Sequence, residues 1–380
     1  MYKICIDIGT TTAKCVLFAE GINMIAESSH EYDLISSKGN WVQQDANDWW
    51  DATSKCIRDV VTQSKIDTKE IKVIGVSGQA PNFLPLDADG KTLCDSIIWM
   101  DRRTEVECAE FASNISPQRV NEITGNQIDA LFLPPKFIWF KKNYPDLYDK
   151  TAHILSTNGF INYKLTGEYS YDKTNASMTL LYDIHNDCWS KEILDAVGIS
   201  EAILPKLYNC PDVIGYTTKQ VAQELGIEEG IPVIAGTVDT MSGSIEAGIV
   251  AKGDAFEAIG TSSCLTVAFD EKNTSPYLST AIGLSPDIKI MVGPMSTTGA
   301  SYKWCRDALR GGENDYGTEY INMENDIQKI SPEPTNIIFL PYMAGERAPI
   351  WDSNARGVFF GLSLATTEAH LMRAVMEGTS

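Results

Sequence analysis

Positive charge is what this 380-residue chain has least of: 31 lysines and arginines stand against 51 aspartates and glutamates, a formal charge of −20. The acidic surplus is spread along the chain and repels phosphate backbones and anionic lipid, so nucleic acid and membrane are not expected partners. Any anionic ligand must then be held by local donors. The sequence also lacks an apolar run long enough to span a bilayer. Met1 leads almost at once into a β-rich stretch, which leaves no room for a signal peptide and points to the cytoplasm. No Cys-x-x-Cys pair occurs among the nine cysteines (5, 15, 56, 94, 108, 188, 210, 264 and 305). In a reducing compartment they read mostly as small buried hydrophobes. The four histidines (30, 153, 185, 370) are too scattered for a ligand set and are expected at surface or capping positions.

Neither G-x-x-x-x-G-K-[ST] nor G-x-G-x-x-G is present, which removes the familiar helix-start phosphate loops. There is instead a repeat. "IDIGTTTAKCVLF" (6–18) returns near the other end as "EAIGTSSCLTVAF" (257–269), with Ile8, Gly9, Thr10, Val16 and Phe18 matching Ile259, Gly260, Thr261, Val267 and Phe269, and Thr11 and Thr12 over Ser262 and Ser263. A glycine at such a turn admits a close ligand, and successive N–H groups and hydroxyls converge there, as phosphate oxygens require. One copy alone is equally a good hairpin turn. Two copies suggest duplicated domains that grip one polyphosphate from both sides.

The length allows two domains at about 150 residues each. "KICIDIG", "AKCVLFAE" and "GINMIAESSHEY" predict a meander of three antiparallel strands. "DANDWWDATSKCIRDVVTQSK" predicts a helix capped by Asp45, with Trp49, Ala52, Cys56 and Val60 on one face, and "IKVIGVSG" a buried strand after it. Alternating elements argue for α/β layers. The middle third reads as helical through "PPKFIWFKKNYPDLYDKTAHIL", "NGFINYKLTG", "SKEILDAVG" and "TKQVAQELG". "GIPVIAGTVDT" reads as a strand entering a helix, and the second hairpin opens a new domain. The expected division is 1–243 and 244–380. A last helix capped near Thr366 would put Leu371, Ala374 and Val375 on one face.

Three places could carry chemistry. Asp7 precedes the first turn where the second copy has Ala258; a carboxylate beside a phosphate cradle needs a cation between them, so Asp7 is a candidate Mg²⁺ anchor or else an exposed strand-end acid. Asp239, in "AGTVDTMSG", follows a strand and a glycine turn at the junction of the halves, where a general base would stand; a carboxylate there serves equally as a helix cap. Gln79, Asn82, Asp101 and Arg102, at strand ends in "GQAPNF" and "IIWMDRR", suit a polyol, and equally a surface loop.

These segments, with "WVQQDANDWW", "LDADGK", "PPKFIWFKKN", "STTGASYKW" and the closing block Gly357, Phe359, Gly361, Leu362, His370, Leu371, Ala374, Val375, Met376, Glu377, resemble the FGGY carbohydrate kinases over the whole chain. The resemblance implies duplicated ribonuclease H-like domains of the actin and hexokinase type, with mixed sheets flanked by helices and a central cleft. It implies ATP-dependent phosphorylation of a sugar or polyol hydroxyl, with Asp239 as base and Asp7 and Asp239 at Mg²⁺. Gly9, Thr10, Thr11, Thr12, Gly260, Thr261 and Ser262 would hold the ATP phosphates, and Gly299 would lie near the nucleotide.

The substrate side departs from the pattern. Ala80 and Pro81 stand where xylulose kinases have Met-His and glycerol kinases Arg-Glu, Thr240 stands where xylulose kinases carry Asn, and Leu133 replaces a small residue. A ketopentose such as xylulose is the first expectation. Relatives continue for roughly a hundred residues past the closing block, so 244–380 is expected to be incomplete and to lack the adenine-binding part. The alternative reading is a non-catalytic sugar- or nucleotide-binding relative or an inactive fragment; a chaperone-like or filament-forming ATPase fits the sugar-kinase segments poorly. A two-fold homodimer is the default assembly.

Overall fold

A computed structural model describes residues 1–36, 38–269, 274–284, 288–311, 316–330, 333, 335–352 and 354–380. The chain forms two compact units. The first comprises Met1–Lys252, Ala268–Pro276 and Thr280–Ile290, and the second Gly253–Val267, Tyr277–Ser279 and Met291–Ser380.

The first unit is built on the expected meander. Strands β1 (Tyr2–Ile8), β2 (Thr12–Phe18) and β3 (Met24–Glu31) pair antiparallel in sequence order. The chain then crosses through helix α1 (Ala46–Ser64) to β4 (Ile71–Gly78), which lies parallel to β1. Beyond β4 come β6 (Pro232–Ile234), parallel to it, and β5 (Val213–Tyr216), antiparallel to β6. The sheet order is β5-β6-β4-β1-β2-β3.

Period-two alternation sends Ile4, Ile6 and Ile8 of β1 into the core with Ala13, Cys15 and Leu17 of β2, while Cys5 is exposed and Asp7 half-buried. Helix α1 packs on β2 and β3, with Asp45 accepting from the Asn47 N–H as its cap and Trp49, Ala52, Cys56 and Val60 buried. A second core gathers under helix α2 (Leu133–Asn143), where Phe83 meets Phe137 and Phe140 edge-on at centroid distances of 4.9 and 5.2 Å. The helical reading of 134–155 runs too long: α2 ends at Asn143, and His153–Leu155 is a strand paired with Leu84–Leu86. Helix α3 (Thr157–Thr166) follows, capped by the Ser156 hydroxyl.

One glycine governs how the sheet ends. After β6 the chain kinks and pairs with β4 again as β7 (Thr237–Val238). At the kink Gly236 has φ +79°, and a Cβ there would lie 1.9 Å from the Val76 carbonyl oxygen. The preceding carbonyl, of Ala235, accepts from two buried amides of α3, Asn158 Nδ2 at 3.1 Å and Asn162 Nδ2 at 2.9 Å. Asn158 in turn donates to Asp172, which also accepts from Asn175. Helix α4 (Asp239–Glu246) starts directly from β7.

The second hairpin, antiparallel as expected, is β8 (Ala255–Ile259) with β9 (Ser263–Phe269), which belong to the second unit as far as Val267. Helices α5 (Gly299–Arg310), α6 (Tyr316–Ile327) and α7 (Glu368–Gly378), with the paired strands β10 (Ile338–Leu340) and β11 (Val358–Phe360), enclose a small core of Cys305, Met323, Ile337, Phe339, Met372, Ala374 and Val375. The buried face of α7 thus carries Met372, and Leu371 is only half-buried. His370 caps this helix, its Nδ1 accepting from the Thr367 N–H at 3.2 Å. Four of the cysteines (15, 56, 210, 305) are buried and two (5, 188) are exposed, so burial of most of them does not hold. Among the described residues no helix is long and apolar enough to cross a membrane.

Gly236→Ala is expected to cost about 2–4 kcal/mol, because a left-handed backbone and a backbone clash add together. Urea unfolding measures it as a lower midpoint at unchanged slope, and a loss under about 1 kcal/mol would contradict the close approach.

Candidate active site

The first turn directs its acceptors inward. The Gly9 carbonyl accepts from the Tyr32 hydroxyl at 2.5 Å and the Thr10 carbonyl from Gln44 Nε2 at 2.7 Å. The Thr11 and Thr12 carbonyls take the N–H groups of Tyr32 and Gly9, each at 3.0 Å. What the turn can offer a ligand is therefore its donors, the backbone N–H groups and the hydroxyls of Thr10, Thr11 and Thr12. A site of that kind favours anionic oxygen.

Strand register brings the carboxylates to the same edge. Asp7 on β1 lies opposite Ser77 on β4, whose hydroxyl donates to Asp7 Oδ1 at 2.7 Å, and Ser77 lies opposite Thr237 on β7. Two residues on, Asp239 opens α4, half-buried, its Oδ1 accepting from the Thr240 N–H at 2.5 Å and the Thr240 hydroxyl at 3.0 Å. Burial, opposed by the Thr240 bonds and reinforced by the negative charge of Asp7, holds the Asp239 carboxyl above the usual range. Among the described residues no group of three or more His, Cys, Asp or Glu side chains could hold a metal unaided. Two neighbouring carboxylates whose bonds come from hydroxyls and one N–H are nonetheless a hard-oxygen donor set suited to a divalent cation completed by phosphate oxygens.

The polyol candidates divide. Gln79 and Asn82 are buried side by side: Gln79 Nε2 donates to Gln44 Oε1 at 2.6 Å, and Asn82 Nδ2 to the Thr157 hydroxyl and to the Gln79 carbonyl. Gln79 Oε1 and Asn82 Oδ1 are buried without a protein donor among the described residues, as hydroxyl-accepting groups would be. Ala80 is half-buried and Pro81 buried between them, neither offering a polar side-chain atom, and Thr240 is exposed.

Asp101 does not join this group. Fully buried, it accepts from the Arg103 guanidinium through both oxygens and from the Val42 N–H at 2.6 Å, and Arg103 lies 3.9 and 4.9 Å from the ring centres of Trp41 and Trp139, which meet edge to face. Arg102 is bonded to Asp129 and Glu105. Three residues of the site escaped the sequence reading. Two are Ser77 and Gln44; the third is Trp99, 40% exposed, whose indole N–H reaches the Thr10 hydroxyl at 3.3 Å. An exposed tryptophan in "IIWMDRR" was the available signal.

The second turn repeats the design with one residue fewer, the Gly260 N–H donating to the Ser262 carbonyl at 2.8 Å. It docks on the start of α5: the Gly260 carbonyl takes the Gly299 N–H, and the Thr261 carbonyl those of Thr298 and Ala300, at 3.0 to 3.2 Å. A Cβ on Gly299 would lie 2.3 Å from the Gly260 oxygen, so only glycine permits this docking. Beside the turn opens a cleft of about 550 Å³ lined by Gly260, Thr261, Gly299, Lys303, Trp304 and Tyr320, among others.

This architecture is the actin- and hexokinase-type α/β fold, and it superimposes on the crystal structure of xylulose kinase from Rhodospirillum rubrum with a TM-score of 0.93 at 26% identity, covering 100% of this chain and 76% of that one. Residues 2–245 match the N-terminal domain and 257–380 the C-terminal domain of the FGGY family of carbohydrate kinases, and the chain belongs to that family. It is 30% identical to the xylulose kinase of Bacillus subtilis (strain 168) over 380 residues, which is 99% of this chain and 75% of the relative. It is also 30% identical to the glycerol kinase of Thermococcus kodakarensis over 384 residues, again 99% and 75%.

Because the Asp7 charge opposes ionisation of Asp239, Asp7→Asn should move the Asp239 midpoint down in pH. A carboxyl ¹³C titration reads this directly; an unmoved midpoint would show that the two groups do not interact.

Proposed function

We propose that the protein transfers the γ-phosphoryl group of ATP to a hydroxyl of an uncharged sugar or polyol, a ketopentose such as xylulose first among them, with Asp239 as general base. The observation that carries this reading is the Asp239 carboxylate, set at the shared end of β4, β1 and β7 in the same unit as a donor-rich phosphate turn. Its raised pKa suits a group that must take a proton as the hydroxyl oxygen attacks, since proton transfer works best near the operating pH. In such reactions most of the acceleration comes from positioning and charge stabilisation.

Each residue then has a task. The hydroxyls and remaining N–H groups of Thr10–Thr12 and of Thr261–Ser262 hold phosphate oxygens, Gly9 and Gly260 close the two turns through their own N–H groups, and Gly299 keeps the second turn against α5. Gln79 Oε1 and Asn82 Oδ1 accept from substrate hydroxyls and fix which one faces Asp239. Asp7 and Asp239 would hold Mg²⁺, which when bound offsets the charge of the phosphates. Support for an uncharged substrate comes from the two relatives named for xylulose and glycerol and from the commitment of Arg102 and Arg103 to carboxylates. The Ala80-Pro81 pair offers a substrate shape without hydrogen bonds.

The test is ADP release from Mg-ATP against ketopentoses, ketohexoses, polyols and aldonic acids. Sugar-dependent release is expected, and Asp239→Asn should lower kcat by about 10²–10⁴-fold while the fold and substrate binding persist. Full turnover in that variant would remove Asp239 from the base role. Release with aldonic acids alone would overturn the substrate class.

A further inference from the structure

We propose that Lys136 is a positioning residue for the first phosphate turn, its amine fixing the Ile97–Trp99 backbone so that the Trp99 indole stays bonded to Thr10. The inference rests on the kinase reading only for what that turn binds.

Lys136 lies in α2 and is fully buried. Burying an amine is costly unless something compensates it. The charged groups around it are Asp101, Asp129, Arg102 and Arg103. Asp101 is paired with Arg103 and Asp129 with Arg102, and among the described residues no carboxylate pairs with Lys136. Its Nζ donates instead to two successive carbonyls, of Ile98 at 3.0 Å and Ile97 at 3.4 Å.

Neither carbonyl requires the lysine for satisfaction. The Ile97 carbonyl already takes the Phe83 N–H at 3.0 Å, and the Ile98 carbonyl the Asp101 N–H at 3.2 Å. A methionine would fill the same space without the desolvation cost, so what the amine adds is a second tie on the two peptides that immediately precede Trp99. The indole of that residue closes the link to the phosphate turn. Desolvation also brings the amine down to about 7, so both protonation states are populated near neutrality. The neutral amine has two N–H donors for two carbonyls. The ammonium makes both bonds charge-assisted and so tightens the tie, which weakens as the proton is lost with rising pH.

The experiment uses the full chain. The emission difference between the wild type and Trp99→Phe is followed from about pH 5.5 to about pH 8.5, and the same difference is taken in a Lys136→Met background. A transition centred near neutrality that disappears with Lys136→Met is expected. In steady-state assays with D-xylulose and Mg-ATP, Lys136→Met should raise the ATP KM about tenfold with the xylulose KM within about twofold. A flat wild-type emission difference overturns the proposal, as does an unchanged ATP KM. If Lys136→Met fails to fold, the wild-type titration decides alone. If D-xylulose is not phosphorylated, the emission arms still decide, so failure of the kinase reading and failure of this inference remain separate results.

Discussion

The edge at which β1, β4 and β7 end in step is the constraint on which the first unit's chemistry depends. Neighbouring strands lie about 4.8 Å apart, so level ends put Asp7, Ser77 and the residues leading to Asp239 on one short line. Level ends require β7 to return to β4 after the kink at Gly236, and the kink exists because a residue without a side chain can press against the Val76 carbonyl. Like charges set side by side would be poor design for stability alone. Here burial first, and the Asp7 charge after it, hold the Asp239 carboxyl above the usual range, as the proposed base role requires.

Much of the fold was legible because local signals agreed. Alternation in β1 and β2, the Asp45 cap with its buried Trp49 face, and the duplicated Gly-Thr hairpins all appear as read, and the resemblance supplied the overall architecture. Misreadings occurred where neighbours in space override neighbours in sequence. His153–Leu155 has no pattern that separates it from the helix before it, and becomes a strand because Leu84–Leu86 offers an open edge. Met372 displaces Leu371 by a single position, a shift that depends on how α7 rotates against β10.

Within the site, residues named by type alone fared unevenly. Gln79 and Asn82, read as suited to a polyol or equally to a surface loop, are buried, each with an acceptor that has no protein donor among the described residues. Asp101 has the same appearance in sequence, but the two tryptophans that lie against its arginine come from segments far apart in the chain, and no local pattern announces that pairing. Ser77 could not be singled out without the register that sets it opposite Asp7. Lys136 looks like a surface helix charge until α2 is seen packed on every side.

The buried amides of Asn158 and Asn162 have an evolutionary consequence. They grip the Ala235 carbonyl just ahead of the kink, so the platform bearing Asp239 is anchored from beneath, by α3 and Asp172. Ala80 and Pro81 carry no side-chain hydrogen bonds, so exchanging them severs none. On the proposed reading, substrate preference can therefore drift at positions 80 and 81 while the platform that carries Asp239 stays in place, so that new acceptor hydroxyls are tried without rebuilding it.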